Sequence, residues 1–111
     1  MYNHMEQKIG IIGGGVLGNA MKQYFTEAKI YDKYKPQDPL EEVLAQDYFF
    51  ICVPTPYTEG VGFDLSAIED VFSVLAGLQN KAVVIRSTVL PGTTAMMQDK
   101  YPRLKVLFNP E

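Results

Sequence analysis

The sequence has no tryptophan, a single histidine and a single cysteine. One cysteine cannot form a disulfide within the chain, which excludes a stapled, secreted scaffold. Cys52 stands inside the apolar run Tyr48–Val53 (YFFICV), where a buried, inert thiol in a reducing compartment is expected. His4 lies in the polar N-terminal stretch MYNHMEQK. Residues 1–7 read as a flexible tail, and His4 as a surface residue with no ligand. The same stretch lacks the apolar core of a signal peptide. No apolar run approaches the ~20 residues that cross a bilayer. A cytoplasmic protein with no membrane partner is expected. Excess positive charge is missing as well: 10 Lys and Arg stand against 13 Asp and Glu. Without a basic footprint, nucleic acid is not an expected partner, and no metal site is expected either.

What is present is an alternation of short apolar runs with longer amphipathic ones, over a length of 111 residues that allows one domain. Strands are expected at Lys8–Ile12, Lys29–Asp32, Tyr48–Val53, Ala82–Ile85 and Lys105–Phe108. Helices are expected at Val16–Thr26, Leu40–Ala45, Leu65–Leu78 and Thr93–Tyr101. Asp64, or Ser66 with Glu69, would cap the third helix. Between Pro56 and Asp64, the segment YTEGVGF reads as a flexible loop. The fold class is therefore α/β: a Rossmann-type, doubly wound parallel sheet of about five strands, covered on both faces. Such sheets bind ligands beyond the carboxyl ends of their strands. Those ends carry Gly13-Gly14-Gly15, Asp32, Val53-Pro54-Thr55-Pro56, Ser87-Thr88 and Asn109-Pro110-Glu111.

The strongest local motif is Gly13-x-Gly15-x-x-Gly18, directly after a strand and opening a helix. Gly13 permits the turn, Gly15 lets the backbone approach a pyrophosphate, and Gly18 lets the helix close on the strand. Val16 and Leu17 would add backbone N–H groups at the helix start. Asp32 follows at the end of the second strand, where a carboxylate binds both adenosine ribose hydroxyls and repels a 2′-phosphate. NAD is therefore expected over NADP, with Lys33 and Lys35 as nearby cations that could soften the preference. The bland alternative is that the glycines serve only a turn and Asp32 only ends a strand.

Four further motifs, FFICVPTP, GFDLSAIEDV, VVIRSTVLPGTT and VLFNPE, follow in order. Together with the glycine motif they resemble the NAD-binding domain of the UDP-glucose and GDP-mannose dehydrogenases, the nucleotide-sugar dehydrogenase family, over nearly all of residues 8–111. The resemblance implies oxidation of a sugar C6 alcohol to a carboxylate with two NAD in succession, through a cysteine-bound thiohemiacetal and thioester. Val53, Pro54 and Thr55 then match the loop bordering the cofactor. Ser87 and Thr88 match the family's Ser-Thr, whose threonine positions a water near the nicotinamide. Glu111 matches the glutamate near that water. Thr88 and Glu111 are thus the expected catalytic residues, although Thr88 could equally be a helix N-cap or turn residue and Glu111 a free chain end. Arg86 reads as a solvated or ion-paired strand end.

The family's cysteine nucleophile lies beyond Asn-Pro-Glu, and Cys52, which precedes the Pro-Thr-Pro loop, cannot replace it. Residues 8–111 are accordingly expected to be a truncated enzyme's cofactor half, which binds NAD without completing turnover. The nucleotide sugar would be a partner of the full-length enzyme, and a homodimer is possible. A stand-alone NAD(H)-binding module is the alternative, and a 6-phosphogluconate-type dehydrogenase a weaker one.

Overall fold

Ile9–Ile12 forms strand β1, and all four of its residues are buried. A run apolar on both faces belongs at the centre of a parallel sheet, and β1 indeed has a neighbour on each side. The protein's structure, a computed structural model, describes residues 8–13, 15–34, 37–87 and 92–108. Chain order is β1, α1 (Gly15–Tyr24), β2 (Lys29–Tyr31), α2 (Leu40–Leu44), β3 (Tyr48–Ile51), β4 (Tyr57–Thr58), β5 (Gly62–Phe63), α3 (Ser66–Leu75), β6 (Lys81–Ile85), α4 (Thr93–Lys100) and β7 (Leu104–Phe108). The five-stranded sheet runs β2-β1-β3-β6-β7, and every pairing in it is parallel. The chain moves outward from β1 to β2, then crosses back over β1 to lay down β3. The order therefore reverses at the β1–β3 boundary, where doubly wound sheets open a ligand crevice.

Two apolar clusters separate the faces. One unites Val43 of α2, Ile68, Phe72 and Leu75 of α3, and Met97 of α4 with Phe49, Ile51, Val83, Ile85, Leu104 and Val106 of the strands. The other sets Met21 and Phe25, on and just after α1, against Ile9, Ile11, Ile30 and Phe50. Among the described helices, α1 alone packs on its side of the sheet. The expected doubly wound sheet, with helices on both faces, is found; on the α1 side Tyr48 of β3 is 48% and Leu107 of β7 44% exposed.

Both sheet edges are closed by side chains, which sequence patterning did not anticipate. At the β2 edge, Ile30 donates its N–H to Asp38 Oδ2 (2.8 Å), and Asp38 donates its own to the Ile30 carbonyl (3.0 Å). At the β7 edge, the Gln98 amide accepts from Val106 N–H (2.9 Å) and donates to the Leu104 carbonyl (2.6 Å). Each pair satisfies backbone groups that would otherwise template another strand.

The segment expected to be a loop is a short hairpin. Tyr57 pairs with Phe63 and Thr58 with Gly62, the rings of Tyr57 and Phe63 meet edge to face at 5.1 Å, and Gly60 and Gly62 supply positive φ at its turn. Helix α3 is shorter than expected. Asp64 sits one residue before the helix cap yet still accepts the Ser66 N–H at 2.9 Å. That bond and a side-chain bond with Ser66 hold the Asp64 carboxyl below its ordinary value. Lys22 closes the other end of α1 by donating to the Thr26 and Ala28 carbonyls, as a cation near a helix C-terminus should.

Phe72 is fully buried and stacks on Tyr101 at 5.2 Å. We expect Phe72→Ala to cost about 3–5 kcal/mol, read as a shift in the urea midpoint. A midpoint unchanged from the parent chain would contradict the assignment of α3 to the core.

Candidate functional site

Three backbone bonds extend the sheet one residue past the strand ends. Gly13 N–H donates to Tyr31 O (2.8 Å), Cys52 N–H to Ile12 O (2.7 Å) and Arg86 N–H to Ile51 O (2.9 Å). Pairing of Ile12 with Tyr31 and Ile51, and of Ile51 with Ile85, then lines up Asp32, Gly13, Cys52 and Arg86 along the carboxyl edge. With strands ~4.8 Å apart, this line spans about 14 Å. The expected ligand-binding edge is therefore a continuous, ordered ledge.

The glycines divide by task. Gly13 has φ +100°, and a Cβ there would lie 2.8 Å from the Cys52 carbonyl carbon and oxygen. Neither conformation nor space admits another residue. A Cβ on Gly18 would stand 2.0 Å from the Gly13 carbonyl oxygen, so its absence lets α1 close on the turn. Gly15, with φ +62°, faces nothing within 4 Å. It opens α1, and Asn19 on the next turn donates to its carbonyl at 2.7 Å. Val16 and Leu17 follow it in the first turn of α1, where N–H groups lack helical acceptors. A tight turn, a glycine with open space at its Cβ position and a helix N-terminus fit a diphosphate, which unpaired helix-start N–H groups and the helix dipole favour.

Asp32 lies at the end of β2, one strand from Gly13. Its Oδ1 accepts the Tyr34 N–H at 2.8 Å, which orients the carboxylate. Lys33 is exposed, with Nζ 5.8 Å from the Tyr34 ring centroid. Lys35 lies outside the described residues.

Beyond β3, Val53 and Thr55 are partly buried and Pro54 is exposed. Ser87 is buried, and its hydroxyl donates to the Val53 carbonyl at 2.6 Å. It braces the Pro-Thr-Pro segment from the side of α2–α4. Thr88 and Glu111, the expected catalytic pair, lie outside the described residues. So do Asn109 and Pro110. The described site thus unites Gly13, Gly15, Gly18 and Asp32 around the start of α1, with Val53 and Ser87 joined further along the ledge.

The expectation for Cys52 is a buried, inert thiol. It is partly buried, with Sγ 3.7 Å from Met21 Sδ. Burial pushes its thiol up to about 11, against the opposing pull of the Arg86 charge. Asn19 is the residue at this edge that motif reasoning passed over, and Arg86, expected as a solvated or ion-paired strand end, is partly buried. An Asn one turn into α1 carries no sequence signature, and Arg86 gains its setting only from strand register. No group of metal-ligating side chains occurs among the described residues.

Comparison with known proteins gives a consistent result. The model of the UDP-glucose/GDP-mannose dehydrogenase family, NAD binding domain, matches residues 19–111. A GDP-mannose 6-dehydrogenase from Pseudomonas aeruginosa is 45% identical over 56 residues, covering 46% of this chain and 13% of the relative. The crystal structure of a ternary complex of GDP-mannose dehydrogenase from Pseudomonas aeruginosa superposes with TM-score 0.69 at 24% identity, covering 94% of this chain and 36% of that one. A UDP-glucose dehydrogenase from Pyrobaculum islandicum gives TM-score 0.76 at 20% identity, covering 100% of this chain and 37% of that one. The chain therefore spans little more than a third of these solved relatives, whose likeness at such identities establishes the fold.

The glycine roles predict unequal costs for the same substitution. Gly18→Ala should cost about 3 kcal/mol through backbone overlap, whereas Gly15→Ala should cost about 1 kcal/mol for its left-handed φ alone. Chemical denaturation of both variants checks the order. A Gly15 variant less stable than the Gly18 variant would reverse the assignment.

The thiol yields a second prediction. At pH 8, Cys52 in the folded chain should react with a disulfide reagent about 100-fold more slowly than in the denatured chain, because so little of it is thiolate. The raised folded value also links it to stability. Its contribution is fully present below the ordinary 9.0 and is lost as pH rises toward about 11. A Cys52→Ala variant should lack this alkaline loss in a comparison of melting curves.

Proposed function

Because the chain belongs to the UDP-glucose/GDP-mannose dehydrogenase family, we propose that residues 8–111 are the cofactor half of a cytoplasmic nucleotide-sugar 6-dehydrogenase acting in polysaccharide biosynthesis. NAD is the cofactor of this domain. The observation that carries the reading is the cradle at the end of β1. Gly13 bonds to Tyr31 and touches Cys52, Gly15 stays open, and Asp32 stands one strand away. In this reading the N–H groups of Gly15, Val16 and Leu17 receive the pyrophosphate, and Gly18 keeps the helix close enough for them to do so. Asp32 takes the two adenosine ribose hydroxyls, with Lys33 beside it. Val53, Pro54 and Thr55 border the nicotinamide half, held by the Ser87 hydroxyl.

Bound there, NAD would supply the hydride acceptor for oxidation of a sugar C6 alcohol. Thr88 and Glu111 are assigned by their motifs: a hydroxyl and a carboxylate that together hold a water and take its proton. The cysteine nucleophile, the nucleotide-sugar pocket and a dimer contact would be supplied by the rest of a full-length enzyme.

Calorimetric titration of the chain with NAD+ and NADP+ tests the cofactor assignment. NAD+ should bind more tightly than NADP+, and Asp32→Ala should weaken NAD+ by about 10- to 100-fold through loss of charge-assisted hydrogen bonds. Undiminished NAD+ binding by the variant would remove Asp32 from the site.

A further inference from the structure

Asn19 is exposed, one turn into α1, and its Nδ2 donates to the Gly15 carbonyl at 2.7 Å. A carbonyl oxygen only accepts, so this bond fixes which way round the amide stands. Its Oδ1 then faces Gln37 Nε2 at 3.4 Å. The residue after Gln37, Asp38, is bonded in both directions to Ile30 of β2, which anchors this stretch of chain to the sheet edge. The Asn19 amide therefore lies between the start of α1 and the segment that follows Asp32.

Gly15 is where such a bond has consequences. Its φ is +62°, and nothing stands within 4 Å of its Cβ position. Glycine enters either sign of φ readily, so the peptide joining Gly15 to Val16 keeps one orientation only if its polar groups are held. The described peptide bonds are trans. The C=O and N–H of that peptide thus lie in one plane and point in opposite directions. Asn19 stands one turn further along α1, and its bond holds the Gly15 C=O along the helix. The Val16 N–H then points back out of the helix start, where N–H groups have no helical acceptor.

We propose that Asn19 is a positioning residue, whose side-chain amide fixes the Gly15–Val16 peptide so that the Val16 N–H is presented to the diphosphate of the cofactor. This rests on the cofactor reading above and deepens it. The glycine turn has the freedom to let a phosphate approach, and the same freedom would let its donors turn away. A side chain on the next turn removes that second possibility without filling the space that Gly15 leaves open. Donors held in place before the ligand arrives need no reordering when it binds.

The test pairs calorimetric titration with NAD+ and thermal melting, for the unaltered chain, Asn19→Ala and Asn19→Ser. Alanine is the stronger helix former, so Asn19→Ala should melt no lower than the unaltered chain. It should nevertheless bind NAD+ about fivefold more weakly, as the loss of one hydrogen bond implies. A serine hydroxyl can donate to the carbonyl four residues earlier, so Asn19→Ser should bind NAD+ to within about twofold of the unaltered chain. Undiminished NAD+ binding by Asn19→Ala overturns the proposal while leaving the cofactor reading in place. A serine variant as weak as the alanine variant also overturns it. So does weaker binding that comes with a lower melting temperature, or a failure to fold, because Asn19 is then a support of the helix. Binding of no NAD+ by the unaltered chain would overturn the cofactor reading itself, and this inference with it.

Discussion

The contact on which the rest depends is the approach of three backbones at the end of β1. Gly13 is bonded to β2 through Tyr31, lies against the Cys52 peptide of β3, and receives α1 across Gly18. A single methyl group at Gly13 or Gly18 would separate these elements, since each would fall within 2.8 Å of backbone atoms. Steric exclusion here acts on a junction of two strands and a helix, not on one side chain. The same junction sets where α1 begins. The fold and the proposed pyrophosphate cradle therefore share one set of backbone contacts.

Around that junction, the sheet is unevenly supported. The side under α2, α3 and α4 is filled by fully buried Phe49, Ile51, Phe72, Leu75, Val83 and Ile85. The other side carries α1 and a smaller cluster, and it is open at Tyr48 and Leu107. The side chains of Asp38 and Gln98 close the edges that helices do not reach. The polar ledge is held by backbone bonds from below and by Ser87 from the α2–α4 side. It therefore has the rigidity that pre-oriented hydrogen-bond donors require.

Charge is ordered along the ledge. The Asp32 carboxylate stands at one end and the Arg86 guanidinium at the other, with uncharged backbone and a protonated thiol between them. In the proposed reading, a dinucleotide laid across this ledge would meet the Asp32 carboxylate at its ribose and backbone N–H groups at its phosphates.

The amino-acid sequence by itself determined the order of strands and helices, the parallel sheet and the glycine cradle. Apolar periodicity and glycine stereochemistry act over a few residues and are written in consecutive positions. Gly13, Gly15 and Gly18 could be told apart because each solves a different local problem. The hairpin at Tyr57–Phe63 was not legible. Its stability comes from a cross-strand aromatic pair, while its glycines and polar residues look like any loop. Asp38, Gln98 and Ser87 were equally hidden as braces, since each binds a backbone group far away in sequence or set by register. Only the tertiary structure decided which strand ends are neighbours. That placed Cys52 against Gly13 and gave Arg86 a setting, because the lateral order of parallel strands is a property of packing that no local sequence pattern encodes.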